Sequence, residues 1–331
     1  MKEIWVKVDP WDKTLVTTAL ESGAAAVVVP KDHTPRVKEL GRIKTVSEDG
    51  DLRWGEDVVT MEITSADDQE RIVDAAAGKR VIVRTSDWHV IPLENLVART
   101  PNLFAEVDGI ESARLAAGIL EKGMDGLLIT CRDTAEVRSI IQEIQGMNQT
   151  LPLSGFTVTG VRHLGMGDRV CVDTCSMMGP GDGILVGNSH RALFLVHAES
   201  LENPYVAPRP FRVNAGAVHA YVRVPGGRTR YLSELKAGDG VLGVHTDGRT
   251  ENLVVGRAKV EKRPLLLVEA EDSDGHTAGI ILQNAETIRL VTPEGGALSV
   301  VHLQPGDQVL GFTETGGRHF GHRIEETITE R

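Results

Sequence analysis

Ala25-Ala26-Val27-Val28-Val29 is an unbroken apolar run closed by Pro30. A strand with one wet face alternates apolar and polar side chains, so an unbroken run marks a strand covered on both faces, as in a parallel sheet flanked by helices. Comparable strand candidates recur at Ile4–Val8, Ile43–Val46, Val58–Ile63, Arg80–Arg84, Leu103–Val107 and Gly126–Thr130. Helical spacing falls between them at Thr14–Ser22, Ala66–Ala76, Ile110–Lys122 and Thr134–Gln145, with short helical pieces near residues 34–40 and 92–98. Repeated strand–helix units predict an α/β half, and seven strands with Gly155–Val161 as an eighth predict a TIM-barrel-like closure over residues 1–152.

After Pro152 the texture changes. Helical periodicity ends, and short Val-rich runs alternate with turns such as Gly226-Gly227, Ala237-Gly238-Asp239, Asp247-Gly248 and Pro305-Gly306-Asp307. That spacing predicts an all-β domain of hairpins over residues 153–331, a small barrel or sandwich. Tyr231–Asp239 and Val301–Asp307 resemble one another, each a turn entering a strand, which suggests a duplicated β unit.

Composition narrows the function. The chain has 331 residues, 41% of them hydrophobic, and a net charge of −11, which argues against nucleic acid or anionic membrane as partners. No run has the length of a membrane span, and the N-terminus carries no apolar leader. Three cysteines do not make a disulfide framework and fit a reducing cytoplasm. A small-molecule enzyme is expected, and an assembly of identical chains is compatible with this composition.

The densest polar motif is Arg209-Pro210-Phe211-Arg212-Val213-Asn214-Ala215-Gly216-Ala217-Val218-His219-Ala220-Tyr221. Read as one strand, it puts Arg212, Asn214 and Gly216 on one face, and Val213, Ala215, Ala217, His219 and Tyr221 on the core face. His219 is then either a hydrogen-bonded core histidine or a site histidine lining a cavity. His197 and Glu199, at the end of Leu193–Val196, would share a face, and a carboxylate beside an imidazole raises its basicity. Asp173 in Cys171-Val172-Asp173-Thr174-Cys175 would share a face with both thiols; the thiols read as packing and Asp173 as the functional group.

Several blocks together resemble the 3-dehydroquinate synthase II family, the archaeal-type enzymes of an alternative shikimate route to aromatic amino acids. They are Trp5–Pro10, Asp87–Asn95, Gly165–Cys175, Gly179–Asn188, Leu193–Ser200, Arg209–Tyr221, Gly256–Pro264, Ile281–Asn284 and Gly317–Gly321, and they span nearly the whole chain. The resemblance implies an NAD-dependent oxidoreductase, an oxidative deaminase. It would convert the amino sugar acid 2-amino-3,7-dideoxy-D-threo-hept-6-ulosonate to 3-dehydroquinate, closing the ring by an intramolecular aldol step.

That chemistry sets requirements. Arginine binds a carboxylate bidentately, so Arg209, Arg212 and Arg318 are candidates to hold the substrate, with Asn214 and His319 beside them; surface ion pairing is the competing reading for each arginine. Deamination needs a base, for which His197, His219 and His319 are candidates. The aldol step needs a polarised ketone, by a Schiff base on Lys262 or on Lys7, which would lie at the C-terminal end of a barrel strand. A divalent metal could serve instead. NAD has no G-x-G-x-x-G fingerprint here; the Gly179–Gly183 loop, through Gly181, Gly183 and Asn188, is the remaining candidate as an amide nest or a plain tight turn.

Two other functions stay open. The related 3-amino-4-hydroxybenzoate synthases, metal-dependent cyclases, resemble the same second-half blocks, and Cys175 is closer to their pattern. Gly165–Cys175, Arg209–Tyr221 and Gly256–Lys259 fit both groups, whereas Trp5–Pro10, Asp87–Asn95, His197–Ser200 with Glu202–Tyr205, and Gln283-Asn284 side with the dehydroquinate pattern. A non-catalytic sugar-acid-binding homologue is the second alternative, weakened by the number of costly polar residues retained.

Overall fold

The computed structural model describes residues 2–85, 90–120, 122–146, 149–204 and 206–314, and the backbone of 317–319 and 322–324. It divides into two compact units, Met1–Gln145 and Gly146–Arg331.

The first unit is an eight-stranded parallel sheet with interleaved helices. Its elements run β1 (Glu3–Lys7), α1 (Lys13–Glu21), β2 (Ala26–Val28), α2 (Thr34–Leu40), β3 (Lys44–Ser47), β4 (Leu52–Arg53), β5 (Val58–Ile63), α3 (Ala66–Ala76), β6 (Arg80–Thr85), α4 (Val90–Arg99), β7 (Leu103–Val107), α5 (Ile110–Gly118), β8 (Gly126–Ile129) and α6 (Thr134–Gly146). The order β4-β3-β2-β1-β8-β7-β6-β5 joins the first strand to the last. A single parallel bridge, Trp54 to Val58, spans the remaining seam. The sheet is thus nearly a closed barrel, as the repeats predict.

The eighth strand is not Gly155–Val161. It is the two-residue β4, entered by the turn Glu48-Asp49-Gly50-Asp51 and too short to show any period. Helix starts follow ordinary capping: Asp12 accepts from the Thr14 and Leu15 amides, and Ser65 with Asp68 forms a capping box at α3. Inside the ring, Trp5, Ala26, Val28, Val46, Val58, Ile82, Phe104 and Leu128 pack into one apolar cluster.

The second unit is antiparallel throughout. Its strands are β9 (Ser154–Thr174), β10 (Asp182–Gly187), β11 (Ala192–His197), β12 (Arg212–Ala217), β13 (Tyr221–Val224), β14 (Arg228–Tyr231), β15 (Gly240–His245), β16 (Thr250–Glu271), β17 (Thr277–Gln283), β18 (Arg289–Val291), β19 (Ala297–Ser299), β20 (Gln308–Thr313), β21 (Gly317–His319) and β22 (His322–Ile324). The long strands β9 and β16 pair along most of their length. β15 joins the start of β16, β20 the start of β9, and β12 the end of β9. The similar sequence turns dock alike. Gly238 N donates to Val255 O and receives through Asp239 O the Val255 amide; Gly306 N and Asp307 O do the same with Val158, all at 2.8 Å.

The run Phe211–Tyr221 is not one strand. β12 bulges at Ala215, Gly216 follows at φ +142°, and the chain turns at Val218–His219, with Ala220 N bonded to Ala217 O at 3.0 Å. Tyr221 opens the next strand and His219 is exposed, so the expected core histidine is a turn residue. Among the described residues no helix is long and apolar enough to cross a membrane.

Candidate active site

Strand register in the second unit gathers one polar face. Arg169, Cys171 and Asp173 alternate along β9 and so point the same way. β12 sets Arg212 opposite Asp173 and Asn214 opposite Cys171. On the other side β16 sets Arg257 opposite Asp173, Lys259 opposite Cys171 and Glu261 opposite Arg169. Directly opposed residues share a side of the sheet, which is why these groups meet.

Asp173, 5% exposed, is the hub. Arg212 grips it with Nε on Oδ1 at 2.6 Å and Nη2 on Oδ2 at 2.9 Å; Arg257 donates Nε to Oδ2 at 2.9 Å and Nη2 to the same oxygen. Burial pushes the Asp173 carboxyl up, but the two guanidiniums outweigh it and hold it below the ordinary carboxylate range. An anion so held is a poor proton acceptor, so Asp173 positions two arginines and leaves one positive charge uncompensated.

Glu199 behaves oppositely. It is 9% exposed and receives only a 3.5 Å contact from Arg209 Nη1. Burial raises its carboxyl above the usual value against the pull of Arg212 and Arg209. The backbone ties it to both, through Glu199 N to Arg212 O at 2.8 Å and Arg209 N to Glu199 O at 2.7 Å. Among Asp173, Glu199 and Glu261 it is the carboxyl that is raised rather than lowered.

Arg169, Arg257, Lys259 and Glu261, which the sequence did not single out, complete the face. Buried Arg169 bonds Cys171 Sγ and Glu261 Oε2, the latter at 3.0 Å, and its Nε has no partner. Glu261 also pairs with Lys259 and Arg263, each at 3.0 Å. Burial lifts the Cys171 thiol to about 11, so it stays protonated as a packing group. Cys175 lies beyond the end of β9 and is exposed, off the face that the three-residue alignment assigned it. Asn214 donates to Gln283 Oε1 at 2.9 Å, while its buried Oδ1 is unpartnered.

Other nominated residues sit differently. His197 accepts from the Gly181 amide at Nε2 (3.0 Å), and its Nδ1 bonds the Ala198 carbonyl, so the backbone rather than Glu199 fixes its tautomer. Burial lowers its pKa, with the Ala198 contact opposing. The Gly179–Gly183 loop is no anion nest. Gly179 N goes to Asp182 Oδ2, Gly181 N to His197, Asp182 N to Gly179 O, and Pro180 has no N–H. Gly183 is glycine because a Cβ there would lie 2.0 Å from Val196 O on the paired strand. Asn188 ties β10 to β17 through Gly279 O and Ile281 N. Lys262 is exposed on β16. Arg318 and His319 lie on β21, their side chains outside the described residues, as are Asp87, Trp88 and His89. One trio of metal-type ligands, Asp272, Asp274 and His276, converges among the described residues, in the β16–β17 turn.

In the first unit a cavity of about 300 Å³ opens at the C-terminal ends of the strands, with Lys7, Asp9, Lys31, Glu48, Arg84 and Glu106 in its lining. Period two explains it: Trp5, Ile82 and Phe104 fill the ring, and Lys7, Arg84 and Glu106, two residues on, stand one layer above.

These features define a two-unit protein, a βα-repeat barrel followed by an antiparallel β unit with a cation-rich face. The chain belongs to the 3-dehydroquinate synthase II family: residues 1–144 match its N-terminal domain and residues 155–331 its C-terminal domain. It is 54% identical to the 3-dehydroquinate synthase of Methanospirillum hungatei and 53% to that of Methanoregula boonei, covering 100% of both chains in each case. A protein of Aquifex aeolicus described as a 3-dehydroquinate synthase homolog is 51% identical over the full length of both chains.

Proposed function

We propose that this protein is a 3-dehydroquinate synthase acting on 2-amino-3,7-dideoxy-D-threo-hept-6-ulosonate. The amine carbon loses a hydride and its nitrogen a proton, water releases ammonia from the resulting imine, and the methyl carbon beside the distal ketone then adds to the new ketone. NAD would take up the hydride; it enters this reading through the family resemblance, since the Gly179–Gly183 turn does not fit its pyrophosphate, and no residue is assigned to it. The observation that carries the reading is the Arg212–Asp173–Arg257 cluster, whose surplus positive charge suits the substrate carboxylate. Glu199 is suited to take the amine proton. The reading implies small-molecule partners, a cytoplasmic setting and no nucleic acid or membrane.

The test is to mix protein, the amino sugar acid and NAD, and follow NADH together with 3-dehydroquinate. Their joint appearance supports the proposal. A metal-dependent aromatic product from a phosphorylated precursor, with no NADH, would move the protein to the aminohydroxybenzoate branch. Tight binding without turnover would make it a binding homologue.

A further inference from the structure

The barrel mouth contains three cations and three carboxylates, and most are matched. Lys31 pairs with Glu48 at 3.2 Å, and Arg84 pairs with Glu106 at 2.9 Å. Lys7 and Asp9 line the same cavity and have no ion-pair partner among the described residues. A primary amine and a carboxylate are thus left over at the end of a barrel carrying strand, above a sealed apolar layer. Barrel chemistry gathers at that end because loops vary there while the packed ring below stays rigid. The cavity volume falls at the small end of the roughly 300–1,000 Å³ usual for small-molecule sites, a size suited to a seven-carbon acid. The alternative lysine, Lys262, is exposed on β16 and does not line this cavity.

We propose that Lys7 is the Schiff-base lysine of ring closure, and that Asp9 is its proton carrier. This inference rests on the synthase reading above and concerns ring closure alone: the deaminated diketo acid leaves the cation-rich face and is taken whole into this cavity. Lys7 Nζ, having passed a proton to Asp9, adds to the distal ketone carbon; the carbinolamine oxygen takes that proton back from Asp9 and leaves as water, and a protonated imine remains. Asp9 takes a proton from the adjacent methyl, giving an enamine whose carbon attacks the second ketone. That oxygen takes up the proton, and water hydrolyses the imine to regenerate the Lys7 amine and the ring ketone. No oxidant enters this half of the reaction.

Cyanoborohydride reduces an imine and spares a ketone, so it locks the adduct where it forms. Full-length protein would be incubated with the amino sugar acid and cyanoborohydride, digested, and its peptides weighed, with turnover measured on untreated protein in parallel. The expected result is a single substrate-derived adduct on Lys7, inactivation in proportion to labelling, and a Lys7→Arg variant that takes no adduct and forms dehydroquinate at least 100-fold more slowly. Turnover by the unmodified protein with Lys7 unlabelled, or with the adduct on Lys262, overturns the inference and leaves the synthase reading standing. Absence of both turnover and adduct overturns the two together. Asp9→Asn should slow both labelling and closure; unchanged rates of both remove Asp9 from the proton-carrying role.

Discussion

Arg212 and Asp173 face each other across β12 and β9 in a two-bond fork, with Asp173 side-chain exposure at 7% and Arg212 at 12%. Removing one partner of such a pair strands the other's charge. Asp173→Ala should therefore cost about 3 kcal/mol in urea unfolding. A loss no larger than that of an exposed substitution would show that the fork carries no stability. Because the folded Asp173 binds its proton less readily than the unfolded one, its contribution is present above the unfolded value of about 3.9 and is lost as pH falls through the folded value. The Asp173→Asn protein should lack that acid-driven decline.

Arg212→Lys keeps the charge and loses the fork. The Michaelis constant for the amino sugar acid should rise about tenfold or more, with a smaller change in kcat. An unchanged constant would remove Arg212 from the carboxylate contact.

Glu199 supplies a pH signature. As a base it works ionised, and burial has raised its pKa, so kcat/KM should climb with pH through a limb above the ordinary Glu value of about 4.3. Glu199→Gln should lose that limb along with most of the rate. A profile identical to that of the unmodified protein would assign the base elsewhere.

His197 should be a stability residue. Its two ring nitrogens serve Gly181 and Ala198, and His197→Ala leaves both groups buried without it, at about 2 kcal/mol. Since the folded pKa is lowered, the unfolded chain takes up the proton first; stability from this group holds above about 6.5 and falls as pH drops through the folded value. A variant of normal stability but no turnover would restore His197 to the catalytic set.

The barrel was legible because strands such as β2 and β8 are buried along their whole length, and such strands are unbroken apolar runs. β4 was not, because two residues carry no period. The Arg212–Asp173 face was half legible. Alternation on β9 could be read, but the partners Arg257 and Glu261 depend on the register of β16, more than eighty residues away. The spacing of Arg257, Lys259, Glu261 and Arg263 by two was the available signal for them. His219 was misread because a bulge at Ala215 shifts the face, and nothing in Phe211–Tyr221 except Gly216 marks the break. The glycine loop looked like a nest because its composition says nothing of where its amides point.

The two long strands also set a timetable. β9 begins at Ser154, yet its partners β16 and β20 begin at Thr250 and Gln308. A growing chain therefore holds β9 without its main neighbours until nearly the whole sequence has emerged from the ribosome, whereas each βα repeat of the first unit can pair as soon as it is made. Truncation near the C-terminus would unpair the start of β9 and leave an open strand edge, a template for pairing with another chain.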